Sequence, residues 1–135
     1  MRRILSALLF ASLAGPGAAA ACPAFFEIEV GPFPERFVVK LTQPAKIAHA
    51  RRILSGEVTE QTQILGKVRR RSAPWNEPWS FILAPRTVEF FDLAIEVCDA
   101  NIAYVEEHLD EVGGAFLPGR TWCPWGSRLV REVTP

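Results

Sequence analysis

The stretch FFEIEVGPFPERFVVKL, residues 25–41, decides the fold of this chain. Its opening letters, FFEIEV, alternate apolar and acidic side chains, which is the two-residue period of a strand with one buried face. Its closing letters, FVVKL, are rich in β-branched side chains, which favour strands. Because the glycine and the prolines between the two segments break the chain, we predict strands over 25–30 and 37–41, joined by a turn.

Two helices are predicted from apolar residues that recur with the helical period. The first, residues 44–55, begins at a proline and ends before Gly56, and both residue types suit those positions. The second, residues 102–112, is capped by Asp99 or Asn101 and ends at a glycine pair. Their buried stripes are Ile47, Ala50 and Leu54 in the first helix, and Ile102, Val105, Leu109 and Val112 in the second.

The remaining periodic segments predict four more strands. Residues 61–68 are interrupted at Gly66, which indicates a bulge, and residues 79–83 and 128–133 are short strands. Residues 87–98 alternate and are assigned as one long strand, although a helix also fits their apolar spacing. The order β-β-α-β-β-β-α-β predicts an α+β domain in which two helices pack on one face of a mostly antiparallel sheet.

Residues 1–21 have the features of a cleaved signal peptide. Arg2 and Arg3 give a positive start, residues 4–13 are almost entirely apolar, and small residues follow for a signal peptidase. The apolar run is about half as long as the ~20 residues of a membrane span. We therefore predict export, which leaves residues 22–135 as a single small secreted or periplasmic domain.

The cysteines fit an oxidising compartment. Cys98 and Cys123 form the natural pair, and a disulfide between them would close a loop of about 25 residues. Cys22 is then left over at the start of the mature domain, where it can be clipped away, free or acylated. Acylation would make the domain a lipid-anchored envelope protein, and only in that case do we expect membrane attachment.

The charge balance excludes one class of partner. The whole chain carries 15 basic and 15 acidic residues. Because the leader takes Arg2 and Arg3 and no acidic residue, the mature domain carries 13 basic and 15 acidic residues, a net charge of −2. A domain dedicated to nucleic acid usually shows a clear basic excess, so we expect no nucleic-acid partner.

Five blocks of the sequence occur in an order that resembles a known family. They read FVVKLTQPAKIAHARRILSG, PWNEPWSFIL, FFDLAIEVCDA, YVEEHLDEV and WCPWGSRLVREV. Together they cover about residues 37–133 and resemble the amino-terminal domain family named after a calmodulin-binding protein, the "BP-seventy-four" amino-terminal domain. The resemblance implies one small, often exported domain, and it brings no established activity or catalytic residues.

Calmodulin itself is not expected as a partner, because calmodulin binding is a property of the family's namesake. A calmodulin target is a basic amphipathic helix with large apolar anchors. The predicted helix 44–55 is basic, but its apolar side, with Ile47, Ala50 and Leu54 on it, is needed by the core of the domain.

The tryptophans are the strongest candidates for a binding site. They occur in two short segments, each with a proline directly before its second tryptophan, and an arginine run precedes the first segment. Exposed tryptophans favour sugars, peptides and protein hot spots, and neighbouring arginines add cation–π or anion contacts. The predicted patch consists of Trp75, Trp79, Trp122, Trp125, Arg70 and Arg71. The alternative is that the tryptophans close the core near the disulfide.

No catalytic residues, metal site or cofactor are predicted. A Cys–His nucleophile would need His49 or His108 beside a thiolate, and the disulfide removes the thiols. The acidic residues of the second helix follow no metal-binding spacing and fit a solvated face. We therefore expect a non-enzymatic binding module for a protein or glycan at the cell surface. The alternatives are a hydrolase that uses carboxylates such as Glu96 and Asp99, and a structural envelope lipoprotein.

Overall fold

The computed structural model describes residues 22–94 and 97–135, together with Gly15. The predicted signal peptide, residues 1–21, otherwise lies outside the described residues. The elements are β1 (Ala24–Val30), β2 (Arg36–Leu41), α1 (Pro44–Leu54), β3 (Gln63–Arg69), β4 (Ile82–Leu83), β5 (Glu89–Phe91), α2 (Ile102–Glu107), β6 (Val112–Gly113), β7 (Phe116–Pro118), β8 (Thr121–Trp122) and β9 (Ser127–Val133). Single 3-10 turns span Pro74–Asn76 and Pro85–Thr87.

The first sheet has β1 at its centre, with β2 and β9 antiparallel on either side. The alternation predicted for β1 is confirmed, because Phe26, Ile28 and Val30 are buried while Glu27 and Glu29 between them face outward. On the outer face Glu29 pairs with Arg36 and Arg128. The hydrogen bond from Arg128, together with the charges of both arginines, lowers the pKa of Glu29.

The second sheet is organised by β3, which changes partner along its length from β5 to β8 and then to β4. The predicted bulge at Gly66 is wrong, because β3 keeps a regular register there. The register instead shifts in β1, between Glu27 and Ile28, where it pairs with β9. Gly66 serves close packing, since a Cβ atom there would lie 3.2 Å from the side chain of Leu83.

Helix α1 matches its prediction to within one residue. Ile47 and Ala50 are buried, and Gly56 adopts a φ of +79°, the left-handed conformation that ends many helices. Arg51 binds Glu132 through Nε and Nη2, at 3.0 and 2.7 Å from the two carboxylate oxygens. This bidentate pair ties α1 to β9.

The Arg51–Glu132 pair predicts a pH dependence of stability. The hydrogen bond from Arg51 lowers the pKa of Glu132 below its ordinary value of 4.5. A carboxyl whose pKa is lowered in the folded state contributes stability above its unfolded pKa and loses it as the pH falls through the folded value. Between about pH 5 and pH 3 the melting temperature of the wild type should therefore fall more steeply than that of Glu132→Gln. Glu60→Gln, which removes an exposed carboxylate that takes part in none of the ion pairs described, should follow the wild type in the same thermal melts.

The strand predicted over 79–83 is wrong at its start, since only Ile82–Leu83 pair as a strand. The reason is Asn76, which is buried at 1% exposure. Its Oδ1 accepts from the N–H of Val38 at 2.7 Å, and its Nδ2 donates to the carbonyl of Phe81 at 3.0 Å. At this point the side chain of Asn76 thus makes the hydrogen bonds to Val38 and Phe81 that main-chain groups of a paired strand would otherwise make.

The long strand predicted over 87–98 is also wrong, because pairing is limited to Glu89–Phe91. Phe91 lies opposite Gln63, the first residue of β3, so β3 offers no partner beyond that point. The Gln63 side chain instead donates from Nε2 to the carbonyl of Asp92 at 2.9 Å. Residues 95–96 lie outside the described part of the chain.

The second helix is shorter than predicted. Asn101 caps its start by accepting from the N–H of Tyr104 at 2.8 Å, as expected. The helix stops at His108, whose ring stacks on Tyr104 with a centroid distance of 4.0 Å. The chain then turns to form β6, β7 and β8, which the sequence did not indicate. The α+β class, the two helices and the mostly antiparallel pairing are confirmed, although the expected single sheet is divided.

Candidate functional site

Trp122 belongs to the core and not to a surface patch. It is fully buried, and its ring meets those of Phe37 and Phe81 edge-on at centroid distances of 5.3 and 5.5 Å. Its Nε1 donates to the carbonyl of Ala100 at 2.8 Å. Trp122 therefore packs inside the core, against Phe37 of β2 and against Phe81 directly before β4, and no ligand can reach it.

Trp75 and Trp79 are half-buried against the first sheet. Trp79 donates from Nε1 to the carbonyl of Arg36 at 2.6 Å and packs on the edge of the core. The ring of Trp75 contacts that of Phe25, with the centroids 5.5 Å apart, and Nζ of Lys40 lies 5.8 Å from the Phe25 centroid. Both indoles therefore cover β1 and β2.

Trp125 is the predicted tryptophan that remains well exposed, at 40%. Its main-chain N–H donates to Oδ1 of Asp99 at 2.9 Å, which fixes the loop that carries it. The loop abuts the end of β1, because the N–H of Gly31 donates to the carbonyl of Gly126. Trp75 contacts Phe25 at the start of the same strand, so the two tryptophans lie near opposite ends of β1, which is roughly 20 Å long at ~3.3 Å per strand residue.

Among the described residues, no cation–π contact joins either of the two predicted arginines to a tryptophan. Arg70 donates from Nη2 to the carbonyls of Val112 and Asp110 at 2.9 and 3.3 Å. Arg71 follows it on the exposed surface. The structure therefore does not bring the six predicted patch residues together on one surface.

The disulfide between Cys98 and Cys123 is confirmed, with the Cα atoms 5.1 Å apart. The N–H of Cys123 also donates to the carbonyl of Cys98 at 2.8 Å, and Gly126 donates to Oε1 of Gln63 at 2.7 Å. These bonds join the loops on either side of the disulfide to the start of β3. An intramolecular disulfide is compatible with a location outside the cytoplasm. Cys22 is an exposed thiol.

Four exposed large apolar side chains lie in the loops that the disulfide and its neighbouring hydrogen bonds connect, and we call these loops the disulfide end. These loops comprise residues 31–34, 92–94, 97–99 and 123–126, which the bonds described above connect. The four side chains, with their exposed fractions, are Phe33 (42%), Leu93 (72%), Val97 (79%) and Trp125 (40%). Val97 also lines a cavity of about 270 Å³ together with Pro118 and Thr121.

Three of these four residues were missed by sequence reasoning. The alternation around Leu93 and Val97 indicates the apolar side of a strand, and strand residues of that kind are expected to be buried. Phe33 lies in a segment that predicts only a chain break. Its position between Pro32 and Pro34 was the available signal, since a large aromatic residue in a proline-rich turn has little opportunity to be buried.

The residues weighed for metal and acid–base chemistry can be placed in part. Among them no group of three or more His, Cys, Asp or Glu side chains could hold a metal ion. Asp99 is engaged as an acceptor for the Trp125 loop, and Glu96, its proposed hydrolytic partner, lies outside the described residues. The ring of His49 packs at a tilt against that of Phe90, with the centroids 4.6 Å apart, and contacts the carbonyl of Gln61. Within residues 22–94 and 97–135 no helix is long and apolar enough to cross a membrane.

Comparison with known proteins identifies the family but no characterised relative. No curated protein and no solved structure matches the chain. The model of the BP-seventy-four N-terminal domain matches residues 22–135, which is the whole of the expected mature domain. This agrees with the resemblance carried by the five sequence blocks. The chain therefore belongs to the BP-seventy-four N-terminal domain family.

Proposed function

We propose that the domain is an exported, non-enzymatic interaction module whose partner is a protein at the cell surface. The observation that carries this proposal is the group of four exposed large apolar side chains at the disulfide end. Exposed apolar side chains scattered singly are ordinary, whereas a concentration of them marks a site of interaction.

A protein partner suits this surface better than a glycan. Sugars stack on aromatic faces, but Leu93 and Val97 are aliphatic and are the most exposed apolar residues of the group, at 72% and 79%. Protein interfaces combine an apolar centre, often anchored by tryptophan, with a polar rim. Trp125 can serve as the anchor, and the carboxylate of Asp99 supplies a polar group beside it.

The disulfide end is also prepared for binding by its internal bonds. Ordering a flexible loop costs about 0.5–1.5 kcal/mol for each immobilised side chain. Here the Cys98–Cys123 bond and the acceptors Asp99 and Gln63 hold the loops before any partner arrives. Less ordering is therefore left for the binding step.

Export supports the choice of a cell-surface partner. The proposal rests on the signal-peptide features of residues 1–21, with which the disulfide is compatible. Calmodulin is not proposed, because Ile47 and Ala50, on the apolar side of α1, are buried against the domain.

The experiment is affinity capture with the oxidised domain, residues 22–135, from envelope and culture fractions of the source cells. Wild-type domain is compared with Leu93→Ser/Val97→Ser, and binding of each captured protein is then measured with purified components. The double variant should weaken binding at least tenfold, because a tenfold loss needs only about 1.4 kcal/mol and central interface side chains can each cost about 2 kcal/mol when truncated.

The matched control is Tyr104→Ser, which removes an exposed large side chain (46%) from α2, outside the disulfide end. Circular dichroism establishes that each variant is folded. Capture of the same partner by wild type and control but not by the double variant supports the proposal. Equal capture by all three domains contradicts it. If sedimentation shows that the wild type is a dimer and that the double variant is a monomer, the partner is a second copy of this chain and not a cell-surface protein.

A further inference from the structure

Three arginines line an open cleft where β3 ends, and a fourth follows two of them in the chain. The cleft has a volume of about 660 Å³ and is lined by Val68, Arg69, Arg70 and Arg120. Arg71 follows directly in the chain, and all four arginines are exposed. We call this feature the arginine cleft. Its volume is within the range of about 300–1,000 Å³ that is typical of sites for small ligands.

No carboxylate of the described residues forms an ion pair in the arginine cleft. The ion pairs within residues 22–94 and 97–135 engage other basic side chains: Arg36, Lys46, Arg51, Arg52, Arg128 and Arg131. The described part of the domain therefore pairs its charges on the first sheet and around α1 but leaves the three arginines that line the cleft without an ion-paired carboxylate. Like charges held together repel one another, and a bound anion would remove that repulsion.

Two of the arginines are held in place by the fold. Arg70 donates from Nη2 to the carbonyl of Val112 at 2.9 Å, which leaves its other N–H groups for a ligand. The main chain of Arg120 donates to Leu117 at 2.9 Å and accepts from Val68 at 2.8 Å. Arg120 has a φ of 61°, a conformation that favours glycine and asparagine over arginine. Arg120 thus occupies a position at which glycine or asparagine would be expected from the backbone conformation alone.

We propose that the arginine cleft binds an acidic polysaccharide, one that carries sulfate or carboxylate groups along its chain. The planar guanidinium fork matches both groups and binds them through two parallel hydrogen bonds. Several guanidinium groups spread around a large cleft suit a ligand with several anionic groups better than a single small anion. This site shares no residue with the disulfide end and does not depend on the function proposed for that surface.

Other polyanions fit the cleft less well. An extended acidic peptide would be expected to add a strand to an open sheet edge, but β4 and Arg120 already occupy both sides of Val68. Single-stranded nucleic acid is bound through aromatic side chains that stack on bases, and the described residues that line the cleft include no aromatic one.

The test measures binding of the oxidised domain to dextran sulfate and to polygalacturonate by calorimetry, with uncharged dextran for comparison. Arg69→Gln/Arg120→Asn removes two guanidinium groups and places a residue at position 120 that tolerates positive φ. We expect about a hundredfold loss of affinity, since a charge-assisted hydrogen bond contributes roughly a factor of ten. The dependence of affinity on salt, between about 50 and about 200 mM, should also become shallower by about one counterion for each arginine removed.

The control variant is Arg52→Gln/Arg131→Gln, which changes the net charge by the same amount at exposed, ion-paired positions. It should keep the affinity of the wild type to within about threefold. The proposal is overturned if the wild type binds neither polysaccharide at low salt, or if both double variants lose affinity equally. Tighter binding of polyglutamate or of a single-stranded oligonucleotide than of either polysaccharide would also overturn it. Preference between the two polysaccharides distinguishes sulfate from carboxylate as the recognised group.

Discussion

Replacing Trp122 by alanine should lower the free energy of unfolding by about 4 kcal/mol, as expected for a large aromatic side chain removed from a core. The indole is fully buried and contacts Phe37 and Phe81. Its loss also removes the Nε1 donor that satisfies the carbonyl of Ala100 at 2.8 Å. The measurement is urea unfolding of the oxidised domain, residues 22–135, followed by circular dichroism.

Two variants give this result its meaning. Trp125→Ala removes the same side chain from a surface loop and should cost less than about 1 kcal/mol. Trp122→Phe retains part of the apolar volume and should lie between the two. Similar losses for Trp122→Ala and Trp125→Ala would show that the division of the tryptophans between core and surface is incorrect.

The elements that could be predicted from the sequence are those decided by their own residues. In β1 the alternation of Phe26, Glu27 and Ile28 fixes which face is buried, whatever the partner strands are. In α1 the spacing of Ile47 and Ala50 does the same, and Gly56 marks the end of the helix. These patterns are local, and so the structure agrees with them.

The short strands could not be predicted because contacts distant in sequence create them. β4 is limited by the buried side chain of Asn76, which bonds to Val38 and Phe81. β5 ends because its partner strand begins at Gln63. No periodic pattern in the sequence records either cause.

The predicted binding patch fails as a single surface for a related reason. The motifs around Trp79 and Trp125 are similar, each with a proline directly before the tryptophan, yet one indole donates to Arg36 and the other is exposed. Sequence identifies tryptophan as a residue suited to both core and interface. Only the partners from other strands decide which role each one takes.

The two proposed sites share no residue and adjoin different ends of β3, although Val97 of the disulfide end lines a cavity with Thr121, which follows Arg120 in the chain. The first residue of β3, Gln63, bonds to a loop of the disulfide end, whereas Arg69 lies at the last position of the strand, beside the arginine cleft. The strand rises about 20 Å between these ends. A variant at one site can therefore be assayed at the other, and two independent losses of binding would indicate two sites on one small domain.

Removing the disulfide with Cys98→Ala/Cys123→Ala should lower the free energy of unfolding by about 3 kcal/mol, since the bond closes a loop with a sequence separation of 25. Both cysteines are buried, so the variant also loses packing between the loops that they join. Cys22→Ser, at an exposed position, should unfold like the wild type. Urea unfolding of the three proteins gives the comparison.

The same variant should loosen the disulfide end more than the rest of the domain. Without the covalent bond, the loops keep their hydrogen bonds to Asp99 and Gln63 but are no longer joined to each other through Cys98 and Cys123. Amide hydrogen exchange of residues 97–99 and 123–126 should therefore accelerate more than exchange in β1, which depends on its own ladder. Partner binding at the disulfide end should weaken while polysaccharide binding at the arginine cleft persists. Uniform acceleration throughout the domain, or a loss of less than about 1 kcal/mol, would mean that the disulfide does not organise this surface.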